Sequence, residues 1–211
     1  LAAAILLSLF GIVGTGLVAL TYEMTKGQIA ENERLALLRS LQALVPADAV
    51  NNDMPNDTIV VDDKVMLGSN VTTIYRGRKD GDPVAAVFTS IAPDGYSGQI
   101  NLLVAVRFDG TLGGVRVIAH KETPGLGDWI ETEKDDWIYS FDNKSLKDPA
   151  EKLWAVKKDG GIFDQFTGAT ITPRSIVNAV KKTLIYARDH AEAIYDLDIE
   201  KATEKKAGGA S

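Results

Sequence analysis

Ile100-Asn101-Leu102-Leu103-Val104-Ala105-Val106-Arg107-Phe108-Asp109-Gly110-Thr111-Leu112-Gly113-Gly114-Val115-Arg116-Val117-Ile118-Ala119 decides the fold. Two aliphatic runs, Ile100 to Phe108 and Val115 to Ala119, flank a segment from Asp109 to Gly114 whose Asp-Gly and Gly-Gly steps suit a turn. Strands joined this closely run antiparallel. Upstream, Val84 to Thr89, Val71 to Tyr75 and Thr58 to Val61 have the same β-branched character. Gly77 to Pro83 reads as another hairpin connection, and Asn51 to Asp57 as a polar loop. Downstream the periodicity changes. Trp129 to Phe141 predicts one or two short helices, and Leu153 to Val156 a last strand. Pro173 suits a first helical turn, followed by Ile176, Val177, Val180, Leu184 and Ile185 at helical spacing. A run of strands followed by helices indicates an α+β domain, with a mainly antiparallel sheet and flanking helices.

The N-terminal segment is of another kind. Leu1 to Tyr22 contains no charged residue and is long enough to span a bilayer, so residues 1–22 read as a transmembrane anchor and not as a signal-peptide core, which is usually shorter. Gly11, Gly14, Gly16 and Ala19 offer either a small face for helix packing or glycines that a membrane helix merely tolerates. From Glu23 the pattern turns amphipathic, and residues 23–46 read as a connecting helix ended by Pro46. Residues 47–199 then form the α+β domain and residues 200–211, polar and rich in Gly and Ala, a mobile tail.

Composition removes several classes of function. The chain carries 29 acidic against 23 basic residues, a net charge of −6, which argues against a nucleic-acid partner. It has no cysteine, so thiolate-held iron–sulfur clusters and C-x-x-C-H haem attachment are excluded. Two histidines, His120 and His190, with no clustered carboxylates make no case for a metal site. Hydrolase and nucleotide-binding loop motifs are missing. An electron carrier of this composition needs a borrowed cofactor.

The segment Asp164-Gln165-Phe166-Thr167-Gly168-Ala169-Thr170-Ile171-Thr172 sets two small residues between two threonines, just ahead of the last long helix. The Thr170 hydroxyl falls where free backbone N–H groups and the positive dipole end favour an anion such as a phosphate. Taken alone, the same residues also make an ordinary loop and helix cap. Glu122-Thr123-Pro124-Gly125-Leu126-Gly127 has, by composition, the look of a tight turn.

The segment from Thr167 to Thr170 resembles the S/T-G-A-T motif of the FMN-binding domain family. That resemblance implies that Thr170 carries FMN through a phosphoester, with Thr167, Gly168 and Ala169 beside it. A flavin transferase would take the FMN moiety from FAD, and Asp164, which also suits an Asx-type turn, would belong to the sequence it reads. Gly95-Tyr96-Ser97-Gly98-Gln99-Ile100, Gly113-Gly114-Val115-Arg116-Val117 and His120-Lys121-Glu122-Thr123-Pro124-Gly125-Leu126-Gly127-Asp128 are similar to blocks of the Rnf-complex G subunits. Their order and spacing agree from about Tyr96 to Val180. Two departures are Thr167, where serine is common, and Trp129, where lysine is frequent.

This second resemblance implies that the loop holding Glu122, Thr123, Leu126 and Gly127 lies against the isoalloxazine ring. Tyr96 would either stack near the cofactor or serve as a core or turn aromatic. It also implies an electron-relay subunit, without catalytic residues of its own, in a complex coupling ferredoxin:NAD oxidoreduction to ion movement. Its partners would be the other subunits, the transferase and membrane lipid. Its place would be the bacterial inner membrane, single-pass, with the domain on the periplasmic side. The rival readings are the C subunit of the sodium-pumping NADH:quinone oxidoreductase and a cofactor-free membrane-tethered binding or scaffold domain. The compact length and the His120-Lys121-Glu122 context favour the Rnf type.

Overall fold

The computed structural model describes Ala2 to Tyr195; the expected tail at residues 200–211 lies outside the described residues. The chain divides into two compact units, the boundary falling between Arg39 and Ser40. Helix α1 (Ala2–Gln42) runs through the first unit without interruption. Gly27 therefore does not break it, and the anchor and connecting segments are one helix. At 1.5 Å per residue its 41 residues extend roughly 60 Å, more than a bilayer core requires. Its N-terminal half exposes Leu6, Leu7, Phe10, Ile12 and Val13 around the whole circumference. Such a surface suits lipid and not water. The helix closes in a tightened turn, Leu44 and Val45 N–H donating to the Leu41 carbonyl at 3.0 and 2.8 Å.

The second unit holds a five-stranded antiparallel meander in sequential order. Its strands are β1 (Thr58–Val61), β2 (Thr72–Lys79), β3 (Asp82–Gly95), β4 (Gly98–Arg107) and β5 (Leu112–Ala119). Three connections are tighter than their sequences suggest. β2 continues through Gly77 to Lys79, and only Asp80 and Gly81, both at positive φ (56° and 95°), make the turn. That conformation matches the twist of the flanking strands. The β3–β4 turn is confined to Tyr96 and Ser97, and β5 begins at Leu112, inside the expected connection.

Short helical features complete the architecture upstream of the last long helix. Helix α2 (Lys64–Leu67), not anticipated from the sequence, is capped by the Asp63 carboxylate, which accepts from Met66 N at 2.9 Å. Between Trp129 and Phe141 only Asp136–Phe141 is helical, a 3-10 turn started by the Asp135 side chain. Leu153 to Val156 is not a strand. Glu151–Leu153 forms a 3-10 turn and Val156 makes one isolated bridge to Phe163. Packing overrides strand propensity here. Trp154 and Phe163 join Phe141 in an aromatic cluster with ring centroids 4.7–6.2 Å apart. Gly161 lies so close to Ala155 that an added Cβ would fall 1.8 Å from its carbonyl oxygen.

Helix α3 (Ile171–Asp189) packs Ile176, Val177, Val180 and Leu184 onto one face of β3 and β4, and the short α4 (Ala191–Tyr195) follows it. Burying each such side chain contributes about 1.5–3 kcal/mol. A buried hydroxyl pair, Ser90 and Thr183 at 2.8 Å, fixes the helix along β3. The segment from Leu41 to Met54 covers the opposite face. Leu44 there lies against Gly113 and Gly114, and Met54 against Gly77. With both faces covered, β4 is buried over Leu102 to Val106.

Candidate functional site

The sheet brings three sequence-distant segments to one end. The β3–β4 hairpin tip closes with Gly95 opposite Gly98, and the last residue of β5, Ala119, pairs with Asn101 of β4. The chain leaving β5 therefore starts beside the hairpin tip. Helix α3, laid along β3, delivers its N-terminus to the same place. A cleft of about 320 Å³ opens between them.

Eight residues singled out from the sequence line this cleft: Tyr96 from the hairpin, Glu122, Thr123, Leu126 and Gly127 from the loop, and Gly168, Ala169 and Thr170 from the segment before α3. Thr167 is exposed and does not line it, and the Asp164 side chain is 68% exposed. Ile171 and Thr172 complete the lining and were not singled out from the sequence. The role of Thr172 depends on a partner 50 residues away, which local pattern cannot reveal.

Thr170 occupies the N-cap of α3 with helical backbone angles (φ −65°, ψ −28°), and its side chain makes no capping hydrogen bond. The hydroxyl is thus not engaged in capping, beside backbone N–H groups of the first turn that lack intrahelical acceptors. Gly168 holds φ at 82°, a left-handed value that suits glycine. A Cβ there would lie 3.8 Å from Leu126 Cδ2, so the two motifs, far apart in the chain, meet in space.

The loop from His120 to Asp128 is held from behind. Glu122 is buried, and its carboxylate accepts from Ser97 N at 3.0 Å and, in a short contact, from the Thr172 hydroxyl. It thereby joins hairpin tip, loop and helix. Glu122 N donates to His120 Nδ1 at 3.0 Å, which leaves the imidazole proton on Nε2, 3.0 Å from Glu131. Asp128, also buried, accepts from Gly125 N at 2.7 Å and from Lys134 Nζ at 2.6 Å. The Lys134 hydrogen bond, helped by Gly125 N–H, holds the Asp128 carboxyl below the usual carboxylate range. Lys134 also bonds Glu131 at 2.9 Å and is the main cause of that residue's lowered pKa.

The resulting surface has three chemical parts. Leu126, Ile171 and Tyr96 present exposed apolar area, 47%, 44% and 69%. Gly127 and Gly168 contribute backbone without side chains. The helix N-terminus favours negative charge. A flat apolar ring system bearing a phosphate fits such a set.

Comparison with known proteins gives the same assignment. The family model described as FMN-binding domain matches residues 95–185, and that described as RnfG N-terminal region matches residues 1–44. The G subunit of the ion-translocating oxidoreductase complex of Pseudoalteromonas atlantica is 50% identical over 93% of this chain and 92% of its own. Its counterpart in Pseudomonas aeruginosa is 50% identical over 87% and 86% of the two chains, and that of Photorhabdus laumondii 47% identical over 92% and 93%. A crystal structure of Shewanella oneidensis NqrC overlaps 65% of this chain and 67% of its own, at 26% identity and a TM-score of 0.45. Matched over nearly its whole length, from the N-terminal helix to the cleft-forming domain, the chain belongs to the family of Rnf-type, ion-translocating oxidoreductase complex G subunits.

Proposed function

We propose that the chain is the membrane-anchored flavin carrier of an Rnf-type complex, with FMN joined to Thr170 through a phosphoester. The observation that carries this reading is the meeting of Thr170, at a helix N-terminus, with the loop from Glu122 to Gly127 across one cleft. When bound, FMN supplies reversible electron transfer. Everything else falls to the chain. The Thr170 oxygen is the attachment point, and the N-terminus of α3 stabilises the negative phosphoester beside it. Gly127 and Gly168 leave room for a planar group against the backbone, and Leu126, Ile171 and Tyr96 shield it from water.

A threonine hydroxyl is a poor nucleophile alone. A flavin transferase supplies the activation: the P–O bond to Thr170 forms, the phosphoanhydride of FAD breaks, AMP leaves and the hydroxyl proton is lost. The acceptor segment suits this. Asp164 is exposed, with Lys157 Nζ 2.5 Å away as its ion-pair partner, and is open to an enzyme reading the loop. The partners are the other subunits of the complex, and the domain faces the periplasm. There a covalent link keeps the flavin from diffusing away, and the anchor in the inner membrane holds it near its redox partners.

The decisive measurement is the intact mass of the chain purified from cells containing the transferase. The expected result is one added FMN moiety, absent from Thr170→Ala and absent when the transferase is missing. A colourless wild-type chain of unmodified mass would favour a cofactor-free tethered domain instead. Protease added to spheroplasts is expected to digest the domain; protection alongside a digested periplasmic control would reverse the topology.

A further inference from the structure

Glu122 is a buried carboxylate for which no Lys or Arg among the described residues supplies a salt bridge. Its hydrogen-bond partners are neutral donors, the Ser97 N–H and the Thr172 hydroxyl, and the N-terminus of α3 supplies only a partial positive charge. Burying a charge without a cation is unfavourable. Fastening hairpin, loop and helix does not require it, because neutral amides and hydroxyls join segments with less desolvation. The glycines nearby crowd around this carboxylate: a Cβ at Gly95 or Gly127 would fall 2.9 Å from a Glu122 oxygen. Two side-chain-free positions thus leave room for this carboxylate in the wall of the cleft.

We infer that Glu122 is the charge-setting residue of the flavin site: its carboxylate places a fixed negative charge against the ring and lowers the flavin's reduction potential. This rests on FMN occupying the cleft. A negative charge in a poorly solvated wall disfavours the added electrons of the reduced ring. The Thr172 hydroxyl, donating to the carboxylate, moderates that field. Charge and support therefore make different forecasts. If Glu122 acts by charge, removing the charge and removing the moderating donor shift the potential in opposite directions. If it acts only as a fastener, either change loosens the same site and shifts the potential the same way.

The test uses Glu122→Gln and Thr172→Val in the full chain, flavinylated in cells and titrated at pH 8 against a redox indicator dye. The side-chain amide of Glu122→Gln retains an oxygen for the Ser97 N–H and offers an N–H to the Thr172 oxygen, so the fastening survives without the charge. At the wild-type midpoint, Glu122→Gln is expected to raise the reduced-to-oxidised ratio roughly tenfold, about 30 mV for a two-electron couple. Thr172→Val is expected to lower it. Intact mass is read first. Wild-type chain without FMN would refute the flavin reading itself, a result distinct from any potential. If only one variant is flavinylated, the sign of its shift decides. Shifts of like sign, no shift, or loss of FMN from both variants while the wild type keeps it would overturn the charge-setting role.

Discussion

The two walls of the cleft are built in opposite ways. The loop from Glu122 to Asp128 is fastened by buried carboxylates: Glu122 to hairpin and helix, Asp128 to Gly125 and Lys134, with His120 bridging Glu122 N and Glu131. The segment from Asp164 to Thr170 has few ties. Ala169 N reaches Phe166 O at 3.2 Å, Trp137 Nε1 donates to the Asp164 carbonyl at 2.8 Å, and Thr167 and the Asp164 side chain face solvent. One wall is organised before any ligand arrives. The other leaves the Thr170 hydroxyl without a capping bond. That division suits a site that a second enzyme must load and that must afterwards hold its group in a fixed environment.

The contrast breaks first at Thr170. Thr170→Ala is expected to abolish covalent flavin completely, read by intact mass and visible absorbance. The fold should persist, because the Thr170 side chain makes no capping bond to lose. A Thr170→Ala chain that still carries covalent FMN would move the attachment elsewhere. Next in size is Gly127→Ala. The added methyl would meet Glu122 Oε2 at 2.9 Å and Thr172 Oγ1 at 3.0 Å. Overpacking of this kind costs about 1–3 kcal/mol. Denaturant unfolding should show that loss while flavinylation, dependent on the other wall, continues. Unchanged stability would mean the fastened wall yields easily, and the contrast would lose its basis.

The two walls also differ in how far the sequence displays them. The meander was legible because each strand carries its own β-branched run and its own turn; Thr58–Val61 begins and ends where composition places it. Helix α3 was legible from Pro173 and its apolar spacing, while Thr170 was singled out by the resemblance of its motif to that of the FMN-binding domain family. The segment from Leu153 to Phe163 was not. Trp154, Val156 and Phe163 resemble strand residues, yet they are fixed by stacking and by the close approach of Gly161 to Ala155, neither of which has a local signature. Likewise the loop glycines look like ordinary turn formers. What makes this loop a wall is the pairing of Glu122 with Ser97 and Thr172, at separations of 25 and 50 residues.

The fastened wall should also reveal itself through pH. The Asp128 carboxyl titrates lower when folded than when unfolded, chiefly because of Lys134. A lowered folded pKa gives stabilisation that is complete above the ordinary value near 4 and is lost as pH falls through the folded value. Asp128→Asn should therefore flatten the acid limb of a melting-temperature profile below about pH 4 and leave less of the neutral-pH stability. An acid limb identical to that of the wild type would show that the Lys134 contact contributes nothing to folding.

The smallest effect belongs to Thr167. Its hydroxyl stands three residues before Thr170 in a segment that resembles a flavin-attachment motif, so sequence alone leaves it a candidate for contact with the flavin. In the folded domain it is exposed and turned out of the cleft, which Gly168, Ala169 and Thr170 line instead. Thr167→Ala removes no buried contact, and exposed changes of this kind shift stability by less than about 0.5 kcal/mol. Flavin absorbance and midpoint potential should match the wild type, because nothing that touches the ring has changed. The remaining sensitivity is the rate of loading, where a transferase reading the exposed loop would meet the altered side chain. A time course of FMN incorporation, followed by mass, separates these roles. Slower loading with an unaltered final spectrum marks Thr167 as part of the surface the enzyme reads. An altered spectrum at full loading would place its hydroxyl at the flavin.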